Sequence, residues 1–278
     1  MMTGSTFTRH SEIAWRGGQT RATSRLIAEE TAIALTYNGS THAVMMGTPA
    51  DLEDFGIGFS LTEAIVRRRS EIRSIDLIPN ELGVEVRMWL DGDRAAALAA
   101  RRRAISGPVG CGLCGIESLE QARRAPSRVQ DRSIVFRARD LLNAMQALSP
   151  LQTLNQQTRS VHAAAFWTPR TGIGPVREDV GRHNALDKLA GAILRDGGSA
   201  GEGAVLLTSR VSVEMVQKAA MMGVPVVVAV SAPTALAIQT AKEAGITLVA
   251  IARDDGYGVF TYPRRVLLPD EAAPRAEG

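Results

Sequence analysis

Cysteine is almost missing from this chain: 278 residues hold two, Cys111 and Cys114. That scarcity excludes the disulfide framework of a small secreted scaffold. It also leaves a structural zinc site short of ligands. Such a site needs four, so it would draw on His10, His42, His162 and His183 or on a second subunit, and no pair of these shows H-x3-5-H spacing. Aromatic residues make up 4%, too few for the stacking platforms that hold single-stranded nucleic acid. Lysine is confined to Lys188, Lys218 and Lys242, and the net charge is only +3, so no strongly basic surface is indicated. No uninterrupted apolar run is long enough to span a bilayer, and residues 1–25 lack the apolar core of a secretory signal. The balance of 45% hydrophobic and 22% charged residues is that of a folded globular protein. These features predict a cytoplasmic location, where thiols stay reduced.

What is present centres on Gly110-Cys111-Gly112-Leu113-Cys114-Gly115. Ser106-Gly107-Pro108 leads in with turn formers and Glu117 to Ala122 follows with helix formers, so the pair is expected on a loop at a helix start. Amide groups and the helix dipole favour thiolate there, and the glycines leave the sulfurs unshielded. A sulfur carrier and a redox pair both fit. Half of a zinc site and a thioredoxin-like exchange site are the competing readings, while a disulfide closing so short a loop adds little stability. Arg67 to Arg69, Arg101 to Arg103 and Arg123-Arg124 read as solvated helix ends, two of which flank the cysteines and could steer an anionic partner.

Along the chain, residues 1–25 read as disordered or loosely attached. Thr31 to Tyr37 and Thr41 to Met46, separated by Asn38-Gly39-Ser40, predict a hairpin. A helix follows from Pro49 to about Val66, then strands over Ile72 to Ile78 and Val84 to Leu90, then a helix from Asp93 to Ile105. This gives an α+β domain over 26–105, with 106–127 as the cysteine loop and its helix. From 128 to 268 the rhythm changes to apolar strands between amphipathic helices: helix 138–148, strand 161–167, helix 184–195, strand 204–208, helix 213–222, strand 224–230, helix 234–244 and strand 246–251. That alternation predicts a three-layer α/β domain with a parallel sheet covered on both faces, and a disordered tail over 269–278.

Ligands gather at the C-terminal ends of parallel strands. There the sequence places Ser209, Arg210 and Ser212, then Ser231 and Thr234, then Arg253, Asp254, Asp255 and Gly256. Each serine or threonine taken singly could be an N-cap, but several on one edge suggest a shared pocket suited to phosphate. The densest polar run, Arg177 to Lys188, opens a helix at about residue 184, where Arg182, His183 and Asn184 offer a cation, a titratable ring and an amide. His162 is either a bonded core histidine or a ligand contact.

Several separated stretches resemble the FdhD family of formate dehydrogenase accessory sulfurtransferases. They are Thr48-Pro49-Ala50-Asp51-Leu52-Glu53-Asp54-Phe55, Cys111-Gly112-Leu113-Cys114-Gly115, Val161-His162-Ala163-Ala164-Ala165, Glu178 through Lys188, and Thr208-Ser209-Arg210-Val211-Ser212. The resemblance implies a homodimeric protein that takes persulfide sulfur from a cysteine desulfurase and delivers it to the molybdenum bis-molybdopterin guanine dinucleotide of formate dehydrogenase. It implies Cys111 as the persulfide carrier and Cys114 as a relay or resolving thiol. Cofactor binding would fall to Ile251, Ala252, Arg253, Asp254, Asp255 and Gly256, with Arg182, His183, Ser209 and Arg210 nearby, and the second domain would have a cytidine-deaminase-like fold. Zinc deaminase chemistry itself needs H-x-E and P-C-x-x-C. Here His162 is followed by Ala163-Ala164, and no cysteine accompanies the second motif.

Overall fold

The computed structural model describes residues 5–105, 126–130, 134–253 and 255–268. The chain divides into two compact units, neither of them continuous in sequence. Unit 1 takes Met1–Ala125, Gln152–Ala164 and Pro175–Ser199; unit 2 takes Pro126–Leu151, Ala165–Gly174 and Ala200–Gly278. A single boundary near residue 128 is therefore corrected: two later stretches belong with the N-terminal residues, because their side chains complete that unit's core.

Unit 1 begins with a two-stranded ribbon where disorder was expected. Strands β1 (Phe7–Arg16) and β2 (Gln19–Ala28) pair without a slip from Phe7↔Ala28 to Arg16↔Gln19. Gly17 and Gly18, at φ 57° and 79°, supply the two left-handed positions that a tight two-residue hairpin turn requires. Composition alone hid this segment, whose ordering comes from the turn and from cross-strand pairs such as Trp15↔Thr20. At the base of the ribbon, the Arg25 guanidinium donates to the carbonyl of Thr158 at 3.0 Å.

A four-stranded sheet of order β4-β3-β6-β5 follows, from β3 (Thr31–Tyr37), β4 (Ser40–Gly47), β5 (Ile72–Asn80) and β6 (Gly83–Leu90). Alternate residues Ile33, Leu35 and Tyr37 of β3 and Val86, Met88 and Leu90 of β6 are buried beneath helix α1 (Leu52–Thr62), which contributes Phe55, Ile57 and Phe59. Helix α1 stops short of the expected Val66. Ala64 turns left-handed at φ 58°, and the N–H groups of Ile65 and Val66 both donate to the Ser60 carbonyl, so the apolar run after Leu61 continues as a turn. Helix α2 (Gly92–Ile105) closes this stretch. Short helices and strands then lead on: β7 (Phe136–Arg137), α3 (Ala138–Leu148) and α4 (Thr153–Thr158).

Strands β8 (His162–Thr168) and β9 (Gly172–Asp179) each carry the chain across the division, and helix α5 (Arg182–Arg195) returns to unit 1. Helices α1 and α5 meet backbone to backbone. A Cβ on Gly58 would lie 1.7 Å from the Asp187 carbonyl oxygen, and one on Gly191 would lie 1.8 Å from that of Asp54.

Unit 2 is built on β10 (Ala204–Leu207), β11 (Val226–Ala229), β12 (Thr247–Arg253) and β13 (Gly256–Val259), in a sheet of order β13-β12-β11-β10-β8-β9. The middle three run parallel, and β13 is antiparallel to β12. Every residue of β10 and β11 is buried, as continuous apolar runs in a covered parallel sheet should be. Helices α6 (Val213–Met222) and α7 (Ala235–Ala244) link the parallel strands. Strand β14 (Val266–Leu267) pairs with β7, and the Phe136 and Trp167 rings meet at a 49° tilt with centroids 5.6 Å apart. Among the described residues, no helix is long and apolar enough to cross a membrane.

Candidate functional site

Cys111, Cys114 and Asp254 lie outside the described residues. Of the other site residues read from sequence, Arg182 and His183 fall in unit 1; Ser209, Arg210, Ile251, Ala252, Arg253, Asp255 and Gly256 fall in unit 2.

In unit 2 the parallel register Leu207↔Ala229 and Val228↔Val249 sets the ends of β10, β11 and β12 side by side. Backbone bonds extend that alignment past the strands. The Val230 N–H donates to Leu207 O at 3.0 Å, Thr234 N–H to Val211 O at 3.0 Å, and Ile251 N–H to Ser231 O at 3.4 Å. The predicted polar residues thus share one rim. Ser209 is buried, with its hydroxyl donating to the Arg210 carbonyl at 3.0 Å, while Arg210 and Arg253 are exposed. Thr234 caps α7 by accepting the Ala237 N–H at 3.2 Å. Ser212 occupies the same position on α6 but forms no cap bond, and its hydroxyl is shielded without a partner among the described residues.

The rim also carries a strained residue. Ile251 sits at φ 58°, where the β12–β13 register shifts between Ala250 and Arg253. A β-branched residue in the left-handed region costs on the order of 1–3 kcal/mol, and such strain clusters where geometry serves a ligand. The irregularity leaves Ile251 and Arg253 exposed with Ala252 buried between them. Beside it, the Tyr257 hydroxyl donates to the Ala138 carbonyl at 3.0 Å, and burial pushes its phenol above the ordinary range. Guanidinium groups, a hydroxyl and the amides of a helix start are a donor set suited to an anionic, phosphate-bearing molecule.

In unit 1 the dense polar run has a different role from the one its charge suggested. Asp179, at the end of β9, accepts from Thr48 N–H at 3.0 Å, Gly181 N–H at 2.7 Å and the Asn184 amide at 3.0 Å, and pairs with Lys188 Nζ at 2.6 Å. Lys188 also donates to the Thr48 carbonyl at 2.9 Å, and Asn184 to Met46 O at 2.8 Å. Both members of the ion pair are 0% exposed. Arg177 donates to Asp54 from two nitrogens at 2.8 and 2.6 Å, and Thr62 donates to Asp187 at 2.6 Å. Glu178 accepts the N–H groups of Leu154 and Asn155 at the start of α4, at 2.9 and 2.8 Å.

These bonds clamp the segment around Thr48 to the N-terminus of α5. Within the run, Arg182 and His183 are the half-buried members at that helix start, and the Arg182 Nε is shielded without a hydrogen-bond partner among the described residues. Half-buried His162 belongs to the same region. Burial, and secondarily the Arg182 cation, hold its pKa below the ordinary value of 6.5 against an opposing pull from Asp179, so its ring favours the neutral form. No sequence signal distinguished the clamp residues from ligand-facing ones, because a buried network and a solvated turn use the same residue types.

The sequence pattern of the FdhD/NarQ family matches residues 28–267. The chain belongs to the FdhD/NarQ family. A sulfur carrier protein FdhD from Agrobacterium fabrum (strain C58) is 52% identical over 264 residues, covering 95% of this chain and 97% of the relative. The protein of the same name from Cupriavidus necator is 46% identical over 260 residues, covering 92% and 90%. A crystal structure described as a formate dehydrogenase accessory protein from Desulfotalea psychrophila superposes with a TM-score of 0.75 at 27% identity, covering 95% of this chain and all of that one. In FdhD/NarQ terms, the matched stretch contains both cysteines, the clamp and the strand-end rim.

Proposed function

We propose that this chain is a cytoplasmic sulfur carrier, homodimeric, that serves formate dehydrogenase by passing sulfur from a cysteine desulfurase to molybdenum bis-molybdopterin guanine dinucleotide. The supporting observation is that its only two cysteines lie three positions apart inside the stretch it shares with named sulfur carriers. In this reading the Cys111 thiolate attacks the terminal sulfur of the donor persulfide, an S–S bond forms at Cys111, and the donor cysteine leaves as thiolate. Attack by Cys114 on the Cys111 sulfur then expels sulfide to the cofactor and leaves a disulfide, which a thiol reductant reopens. The unit 2 rim, with Ser209, Arg210 and the stretch from Ile251 to Gly256, would hold the nucleotide-bearing cargo, and Arg182 and His183 are the candidate contacts that unit 1 offers by itself. We read the strand order and covering helices as the deaminase-type arrangement reused for that purpose.

Intact-protein mass after incubation with a cysteine desulfurase and cysteine tests the carrier step. The expected result is a reductant-labile gain of one or more sulfur atoms, absent in Cys111→Ala; no gain in the wild type refutes the carrier role. Arg253→Ala should weaken cofactor binding while Cys111 still loads, and unchanged cofactor affinity would remove the rim from the site.

A further inference from the structure

The charge of the chain is concentrated in its N-terminal ribbon. Strands β1 and β2 carry Arg9, Arg16, Arg21 and Arg25 against the single carboxylate of Glu12, while all other residues together hold 28 basic and 28 acidic groups. The ribbon thus accounts for the whole net charge of +3. All four arginines are exposed, and none forms an ion pair among the described residues: Arg9 donates to Ser24 at 3.0 Å, Arg21 to Gln19 at 3.3 Å and Arg25 to the Thr158 carbonyl at 3.0 Å. The next acids, Glu29 and Glu30, follow the end of β2 at the root of the ribbon.

The ribbon also turns two large apolar groups to water. Ile13 is 78% exposed and Trp15 72%, on the same face as Ala22 and Thr20, and Ser11, Ser24, Arg9 and Leu26 continue that face toward the root. Exposed tryptophan and arginine are the side chains that dominate protein interfaces. Lipid suits the ribbon less well. Entered tip first, a bilayer would receive Arg16, Gly17, Gly18 and Gln19; met broadside, it would have to bury Arg9 and the hydroxyls of Ser11, Thr20 and Ser24 along with the two apolar groups. A phosphate backbone would leave Ile13 and Trp15 uncovered. A protein groove offers apolar cover and hydrogen-bond acceptors side by side. Ten unbroken cross-strand pairs fix the ribbon's shape before anything binds, which lowers the ordering cost.

We propose that the ribbon is a docking arm that lays its Ile13 and Trp15 face in a groove of the client dehydrogenase, with its arginines meeting carboxylates along the groove's rim. The inference rests on the reading of the chain as a carrier that serves formate dehydrogenase. The family pattern begins at residue 28 and already contains both cysteines and the strand-end rim, so the ribbon before it serves a contact that the shared sulfur chemistry does not need. The client, as the partner particular to each carrier, is the one such an arm would recognise. Ten residues per strand at about 3.3 Å and two strands of about 4.8 Å give a face of roughly 320 Å². Counted on both partners, that contact stays below about 1,200 Å², the class of transient encounters, as a carrier that docks, delivers and leaves requires.

Biolayer interferometry of the full chain on purified, immobilised formate dehydrogenase from the same organism tests this, with circular dichroism confirming that each variant is folded. The wild type should bind with an affinity that falls as salt is raised, and Trp15→Ala and the double variant Arg16→Glu, Arg21→Glu should each weaken it by about tenfold or more. Trp89→Ala, at a site 44% exposed on the four-stranded sheet, should leave it unchanged. If Trp15→Ala fails to fold, Ile13→Ser takes its place. A wild type that does not bind, ribbon variants that bind as well as the wild type, or ribbon-dependent sedimentation with vesicles of phosphatidylserine and phosphatidylcholine in place of dehydrogenase binding overturns the proposal. Sulfur loading of Cys111, read by intact mass in the same variants, separates this from the carrier reading. Loading without ribbon-dependent docking overturns the arm and leaves the carrier standing, whereas docking without loading supports the arm and refutes the carrier step.

Discussion

Replacing Lys188 with methionine removes the cation from a pair that is 0% exposed on both sides, with the nitrogen 2.6 Å from Asp179 and 2.9 Å from the Thr48 carbonyl. Methionine nearly matches the volume, so packing changes little and electrostatics decides the outcome. Asp179 keeps three donors, the N–H groups of Thr48 and Gly181 and the Asn184 amide, but its buried charge loses its counterion. Removing one partner of a buried ion pair costs about 3–5 kcal/mol, a large share of the roughly 5–15 kcal/mol that holds a domain together. At about 2–4 °C per kcal/mol, Tm should fall by roughly 6–20 °C, with a matching loss in urea midpoint. Adding Asp179→Asn should then recover part of the loss, since no uncompensated charge remains. A Lys188→Met variant within about 1 kcal/mol of wild type, or a double variant equal to the sum of the singles, would refute the clamp as an electrostatic unit.

Gly191→Ala should be among the most damaging conservative changes, because its methyl would sit 1.8 Å from the Asp54 carbonyl oxygen and force α1 and α5 apart. The expected result is insoluble protein or a Tm loss above about 5 °C, whereas Gly174→Ala, with its nearest atom at 3.6 Å, should be tolerated; equal behaviour would contradict the backbone contact. His162 predicts a pH dependence. Burial and the Arg182 cation lower its pKa in the folded state, so the unfolded chain takes up the proton first, and stability is lost as pH falls below about 6.5. Tm measured from pH 7.5 to 5 should therefore drop less in His162→Gln than in the wild type, and parallel curves would rule out that contribution.

Elements whose apolar residues repeat at the period of their secondary structure were legible in the sequence. Strands β10 to β12 and helices α6 and α7 appear where continuous and amphipathic runs placed them, and the rim of Ser209, Arg210 and Arg253 followed from the parallel order. Strand β9 was hidden because its inward residues include Arg177 and Asp179, buried by pairing with Asp54 and Lys188, so polarity masked the alternation. For the same reason α5 was read as starting at Asn184, after a polar turn, when it begins at Arg182. The ribbon was missed because polar composition was weighed above its Gly17-Gly18 turn. Which of the residues from Arg177 to Lys188 face inward depends on partners more than a hundred positions away, such as Met46 and Thr48, and no local pattern carries that information.

The clamp also sets a timetable for synthesis. Thr48 and Lys188 are 140 positions apart, so at about 5–20 residues per second the ribosome needs roughly 7–28 s to supply the lysine after Thr48 has been made. For most of that interval α1 has no α5 to cover it, and Gly191 and Arg195, which meet Asp54, are made only after Lys188. The early chain therefore emerges as half a core, and the surface of α1 that α5 later covers faces water until the helix is made.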